Sequence, residues 1–222
     1  MKIRPVETFP APYKRLHWLF TFLFRLLAQI EVSGFDSIPQ TGGFVLATNH
    51  LSRLDTPLLM ITCPRRVFVF VADKYRKFPV FNLILKWADA IWVRRGEADR
   101  EALQAALETL RAGNVVGLAP EGTRSPTGGL QHGKPGVAFL ASRANVPIVP
   151  VAVTGTERML EDLCRLRRLR LRVVFDEPLY ITNDTGRRLS SADLEMATES
   201  LMLRLARLLP AEYRGVYADS VI

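Results

Sequence analysis

Short apolar runs recur along this chain, separated by stretches of helical period. Residues 44–48, 67–72, 90–93, 115–119, 146–153 and 169–175 are runs of four to eight mostly apolar residues, which predict strands. The run at 67–72 reads as fully buried. Between them, 57–62, 79–88, 97–112 and 136–144 read as helices, with Gly113 ending the third. Ser190 to Asp193 caps a last helix that reaches Leu209 before Pro210. Unalternated strands separated by helices predict an α/β fold, a largely parallel or mixed central sheet covered by helices on both faces. No internal repeat or inter-domain linker interrupts residues 34–222, which read as one domain.

Residues 1–33 differ. From Leu16 to Ile30 the polar residues His17, Thr21, Arg25 and Gln29 recur every four positions, a narrow polar stripe on a mostly apolar helix. Arg25 at its centre argues against a span, and the absence of a small-residue cleavage site argues against a secretory signal. The segment either packs on the domain or lies in a membrane interface, with Trp18, Lys14 and Arg15 at the headgroups. Its aromatic load and the basic chain favour an N-terminal membrane-interface helix.

Composition narrows the classes. Hydrophobic residues are 48% and charged residues 23% of 222, the balance of a folded chain with one sizeable core. Two cysteines, Cys63 and Cys164, form no disulfide framework, and His17, His50 and His132 are too dispersed for a zinc cluster. The net charge of +8 calls for an anionic partner. Arg165, Arg167, Arg168, Arg170 and Arg172 are concentrated in eight residues, with strand period after Arg168. They either guard a solvated sheet edge or meet lipid headgroups. No motif or aromatic interleaving supports nucleic acid.

Two loops carry candidate chemistry. His50 and Asp55 follow the first apolar strand. Five residues apart, they would point about 140° away from each other on a continuous helix, so they meet only if the chain bends. Thr56 as N-cap and Pro57 as first helical residue supply that bend. Asp55 at the helix N-terminus then either caps it or orients the imidazole, as the third member of a triad does. No G-x-S-x-G elbow accompanies the pair, so His50 would deprotonate a substrate hydroxyl. The second loop is 119–126, after the strand at 115, where open α/β sheets bind ligands. Arg124 offers it a planar fork, and Gly122 allows close backbone approach. Residues 128–134 satisfy G-x-x-x-x-G-K, but Pro135 stands where a P-loop needs Ser or Thr.

Asn49-His50 with Asp55 resembles the H-x-x-x-x-D block of the glycerolipid acyltransferases, 1-acylglycerol-3-phosphate acyltransferase type. Ile91 to Arg95 resembles their second block, Pro120 to Ser125 the third and Val146 to Val151 the fourth, in the family's order. The resemblance implies acyl transfer from acyl-CoA or acyl carrier protein to a lysophospholipid hydroxyl. The reaction would proceed at the cytoplasmic membrane face, on a peripheral or monotopic enzyme, without metal or cofactor. It assigns His50 as general base, Asp55 as its orienting partner, Arg95 to the acceptor's phosphate, and Glu121, Gly122, Thr123 and Arg124 to acceptor binding. Pro147 matches a fourth-block proline that is structural or shapes the acyl site. This chain departs from the pattern at Asp89, where the family has glycine, at Arg94, where aspartate is usual, at Ala119, where the family has an aromatic, and at Ala72, where many members have lysine. The tail from Leu209 to Gly215 looks like that of a bacterial subgroup.

Overall fold

The computed structural model describes residues 9–94, 99–181 and 189–221. Its strands are β1 (Ala28–Ser33), β2 (Phe44–Thr48), β3 (Val67–Ala72), β4 (Ile91–Val93), β5 (Val115–Leu118), β6 (Ile148–Thr154) and β7 (Leu169–Phe175). Its α-helices are α1 (Ala11–Leu27), α2 (Asp55–Thr62), α3 (Pro79–Trp87), α4 (Arg100–Arg111), α5 (Gly136–Ala144), α6 (Met159–Cys164) and α7 (Ser191–Leu208). The strands form one mixed sheet in the order β1-β7-β6-β2-β5-β3-β4. Strands β6, β2, β5, β3 and β4 are mutually parallel, whereas β7 runs antiparallel to β6 and parallel to β1.

All five residues of β2 are buried, because helices cover both faces of the sheet there. One core lies under α4, α5 and α7, around Ala106, Leu110, Val137, Leu201 and Leu205. The other lies under α2 and the end of α1, around Phe24, Phe44, Leu58, Ile61 and Leu171. Each such side chain withdrawn from water contributes about 1.5–3 kcal/mol. A buried Arg65 ties the loops between these layers, donating to the carbonyls of Gly42 and Gly113 at 2.6 and 2.5 Å. The α7 cap follows the sequence pattern: Ser190 Oγ accepts from the Asp193 amide, and Asp193 accepts from the Ser190 amide.

Three expectations need correction. The N-terminal helix stops at Leu27, and residues 28–33 form the edge strand β1. Strand β7 is therefore not an edge: it is paired on both sides, so its arginines guard no exposed ladder. Strand β3 is only half-buried along its middle, because it lies one place from the other edge. The short helix α6 lies in a stretch for which the pattern names no element.

Helix α1 has apolar residues on two sides. Tyr13, Leu16 and Phe24 are buried, and Tyr13 Oη accepts from the Val67 amide at 3.2 Å. The polar residues His17 and Thr21 point inward as well, and His17 Nε2, Thr21 Oγ1 and, on α3, Asn82 Oδ1 are buried without a hydrogen-bond partner. The outward side carries Trp18, 68% exposed, with Phe22 and Leu26; beyond it, Phe78, Val80, Phe81 and Leu83 are exposed on and before α3. No helix among the described residues is long and apolar enough to cross a membrane.

Candidate active site

The carboxyl ends of the adjacent strands β2, β5 and β6 converge, the position at which open α/β sheets place ligands. Asn49, leaving β2, is clamped to β6: its Nδ2 donates to the Val153 carbonyl and its Oδ1 accepts from the Val153 amide, both at 2.8 Å. His50 follows, with a quarter of its side chain exposed, and the chain then reverses into α2.

Asp55, only 2% exposed, takes four donors. Its Oδ2 accepts from His50 Nδ1 at 2.8 Å, the Leu51 amide at 2.8 Å and the Ser52 amide at 2.9 Å, while its Oδ1 accepts from Thr156 Oγ1 at 2.5 Å. A buried carboxylate demands this saturation, since an unpaired charge away from water is costly. Because an ionised carboxylate only accepts, it fixes the proton on His50 Nδ1 and leaves the Nε2 lone pair for chemistry. Thr56 is not the N-cap: α2 begins at Asp55 itself, whose carboxylate reaches back over the preceding turn, and Ser52 Oγ accepts from the Leu54 amide at 3.0 Å.

Thr156 was not foreseen, since 101 residues separate it from Asp55. Gly155 brings it there in the left-handed region (φ 89°), and a Cβ at this glycine would overlap the Arg170 carbonyl oxygen. The signal available in the sequence was a Gly-Thr pair directly after a buried strand.

Glu121 is also buried, and its oxygens are taken up by the protein: Oε1 accepts from the His50 amide at 2.9 Å and Oε2 from the Gln131 amide at 3.0 Å. Burial pushes its carboxyl above the usual range, opposed by those two amides. It holds its loop against His50 and does not face the cavity. The Ser125 amide donates to the His50 carbonyl at 2.8 Å, so the loop grips both sides of the histidine backbone. The C-terminal tail braces that loop from behind, with the Leu130 amide on the Tyr213 carbonyl, the Val216 amide on the Leu130 carbonyl, and Tyr213 Oη donating to Glu157 at 2.7 Å.

His50, Asp55 and Gly122 line a cavity of about 560 Å³ whose walls are mostly apolar: Leu59 and Val69 from one face of the sheet, Phe70, Leu103 and Leu140 from the other, with Phe139. Gly117 in mid-β5 lines it where a Cβ would press on the Val67 side chain, and Ala72 and Ala119, two departures from the family pattern, also line it. Arg94 stands at its wall, 3.7 Å from Asp99. Thr123 and Arg124 are exposed on the Gly122 loop outside the cavity lining. Pro147, just before β6, lies outside it too, and its carbonyl accepts from the Val45 amide. Arg95 lies outside the described residues. Asp89, standing for the family's glycine, adopts the left-handed φ of 55° and pairs with Arg66. Glycine suits that conformation, and aspartate is among the few other residues that tolerate it. Among the described residues no group of side chains could hold a metal ion.

The chain is 31% identical over 135 residues to the 1-acyl-sn-glycerol-3-phosphate acyltransferase of Borreliella burgdorferi, matching 58% of this chain and 52% of that one. It is 24% identical over 180 residues to the enzyme of the same name from Bacillus subtilis, covering 81% and 87%. The crystal structure of the 1-acyl-sn-glycerophosphate acyltransferase PlsC from Thermotoga maritima superposes with a TM-score of 0.66 at 25% identity, covering 85% of this chain and 76% of that one. The chain spans about half the length of curated relatives such as the Borreliella protein. The family model described as Acyltransferase matches residues 29–154, from the edge strand through the His50–Asp55 turn to the end of β6. That match takes in more than half of the 222 residues, and the chain belongs to the acyltransferase family.

Proposed function

We propose that this protein transfers a fatty acyl group from acyl-CoA or acyl carrier protein to the hydroxyl of a lysophospholipid, converting lysophosphatidic acid to phosphatidic acid. The observation that carries this reading is the Asp55-oriented His50 at the mouth of an apolar cavity. A cavity of that volume and lining suits the acyl chain of a thioester. An alcohol is a poor nucleophile at neutral pH, and a positioned base contributes about 10²–10⁴-fold. His50 Nε2 takes the hydroxyl proton as the oxygen attacks the thioester carbonyl. The tetrahedral intermediate then collapses, the C–S bond breaks, and the imidazolium returns the proton to the leaving sulfur as free thiol. Asp55 stabilises the transient imidazolium and keeps its plane fixed, with Thr156 holding the second carboxylate oxygen. Arg124 and Arg95 are assigned to the acceptor's phosphate, with Gly122 and Thr123 shaping its approach and Glu121 supporting the loop.

The exposed apolar sides of α1 and α3 bring the enzyme to the membrane, where the lysophospholipid acceptor resides. A coenzyme or carrier-protein donor places the working side at the cytoplasmic face. The test is release of free thiol from palmitoyl-CoA with and without lysophosphatidic acid, for the native chain and His50→Ala. Acceptor-dependent release lost in the variant is expected. Release that needs no acceptor would make the protein a thioester hydrolase, and dependence on a different acceptor would move the assignment within the family.

A further inference from the structure

The turn between α6 and β7 presents an apolar tip inside a basic collar. Leu166 is 97% exposed, with Arg165 and Arg167 on either side. It stands in the left-handed region at φ 54°, where glycine or asparagine would be usual, in a turn closed by the Leu166 amide on the Leu163 carbonyl and the Arg167 amide on the Asp162 carbonyl. A single exposed leucine is ordinary on a protein surface, but one held out in the left-handed region between two arginines suits an apolar phase bounded by anionic headgroups.

Topology puts this tip beside the active site. Strand β7 begins opposite Ala28, where α1 ends, and Arg168 donates to the carbonyls of Arg25 and Ala28 at 2.6 and 2.8 Å. Because β7 is antiparallel to β6, its first residues lie at the end of the sheet where β6 delivers Thr156 to Asp55. Arg165 pairs with Glu161 at 2.7 Å, whereas Arg167, Arg170 and Arg172 have no carboxylate within ion-pair distance among the described residues. With β7 paired on both sides, these charges have no edge to protect.

We infer that the α6–β7 turn is a second membrane contact, selective for bilayers rich in anionic phospholipid: Leu166 enters the headgroup–acyl boundary while the flanking arginines meet phosphate groups. The inference rests on the membrane-surface reading above and names the lipid class that reading leaves open. Charge complementarity identifies the occupant, since guanidinium groups recognise phosphate and a negative leaflet attracts basic segments near its surface. Leu166 and, on α6, Leu160 at 72% exposure supply the apolar element that a lipid boundary accepts.

The experiment is co-sedimentation of the full chain with phosphatidylcholine vesicles, pure or containing about 30 mol% phosphatidylglycerol. Native protein is expected to partition onto the anionic vesicles at least about tenfold more strongly, with a preference that shrinks as salt is raised. Arg165→Gln with Arg167→Gln should remove most of that preference and leave binding to neutral vesicles unchanged. Leu166→Ser should weaken binding to both. The control pair Arg111→Gln with Arg143→Gln removes equal charge at the opposite end of the sheet and should change neither. Equal binding to both vesicle types, or equal losses in the turn and control pairs, would overturn the inference. Retention by a duplex oligonucleotide, lost in the turn pair while lipid binding stays, would also overturn it. Native protein that binds neither vesicle would defeat both this inference and the membrane part of the proposed function, while acyl transfer assayed in detergent micelles would still decide the chemical part.

Discussion

Two corners of this molecule handle buried polar atoms in opposite ways. Around His50 each buried carboxylate is saturated: Asp55 has four donors, and Glu121 has the His50 and Gln131 amides. Where α1 meets α3, His17 Nε2, Thr21 Oγ1 and Asn82 Oδ1 are buried with no partner, while Trp18 and Phe22 face outward. The first corner is built so that a single geometry is overwhelmingly favoured, as proton transfer requires. The second follows from a helix that turns Trp18 and Phe22 away from the domain while Tyr13 and Phe24 pack inward. Helix α7 shows the arrangement suited to water, with Leu201, Met202 and Leu205 inward, polar groups largely outward and a formed capping box. The contrast separates residues placed for chemistry from residues placed for a medium, and mutation can test each corner.

The largest effect should come from breaking the saturated corner at its centre. His50→Ala is expected to lower kcat for acyl transfer by about 10²–10⁴-fold with little change in melting temperature. Asp55→Asn should approach that loss, since an amide no longer dictates which ring nitrogen carries the proton. A variant within a few-fold of native activity would remove the dyad from the mechanism. The α1 corner is tested next by Trp18→Ser with Phe22→Ser. Each aromatic buried in a membrane contributes about 1.5–3 kcal/mol, so vesicle partitioning should fall by about a hundredfold while turnover of a micellar substrate survives. Unchanged partitioning would mean that the outward face serves some other purpose.

Thr156→Val probes the saturated corner more gently. It deletes one hydrogen bond to a buried charge, worth about 1.5–3 kcal/mol, so kcat should drop about tenfold while Thr156→Ser restores it. A smaller consequence concerns His17, whose pKa burial holds below the ordinary histidine value. The unfolded chain therefore takes up the proton first as pH falls through about 6.5, and folding stability is lost in that window. The melting temperature of native protein should fall by a few degrees between about pH 7 and pH 5, more than that of His17→Gln measured in parallel. Identical falls in both proteins would show that the buried imidazole is not linked to stability.

Sequence patterning located the fold wherever local rules governed. The strands at 44–48, 67–72 and 169–175 have the expected bounds, and Ser190 with Asp193 caps α7 as their spacing indicates. It failed where a distant partner decided the outcome. Residues 28–30 extend the apolar helix pattern, yet the ladder with β7 makes them strand, because all of 28–33 finds a register there. The His50–Asp55 pair was legible because both residues lie on one turn. Thr156 was not, because β6 delivers it from 101 residues away. Glu121 shows the complementary case: its motif was visible, but its burial behind His50 depends on the Gln131 strap and the tail, which no local pattern reveals.

The junction between α1 and β1 has no linker: Ala28 is both the residue closing the helix and the first residue of the strand. The rotational phase of α1 is thus geared to the hydrogen-bond register of β1 on β7. One residue inserted at the junction would turn the helix by about 100°, swinging Trp18 and Phe22 off their bearing, whereas seven residues would come close to restoring it two turns farther out. The sheet therefore acts as a keel for the outward side of α1 and, on the proposed function, would set the angle at which His50 meets a lipid surface without any moving part.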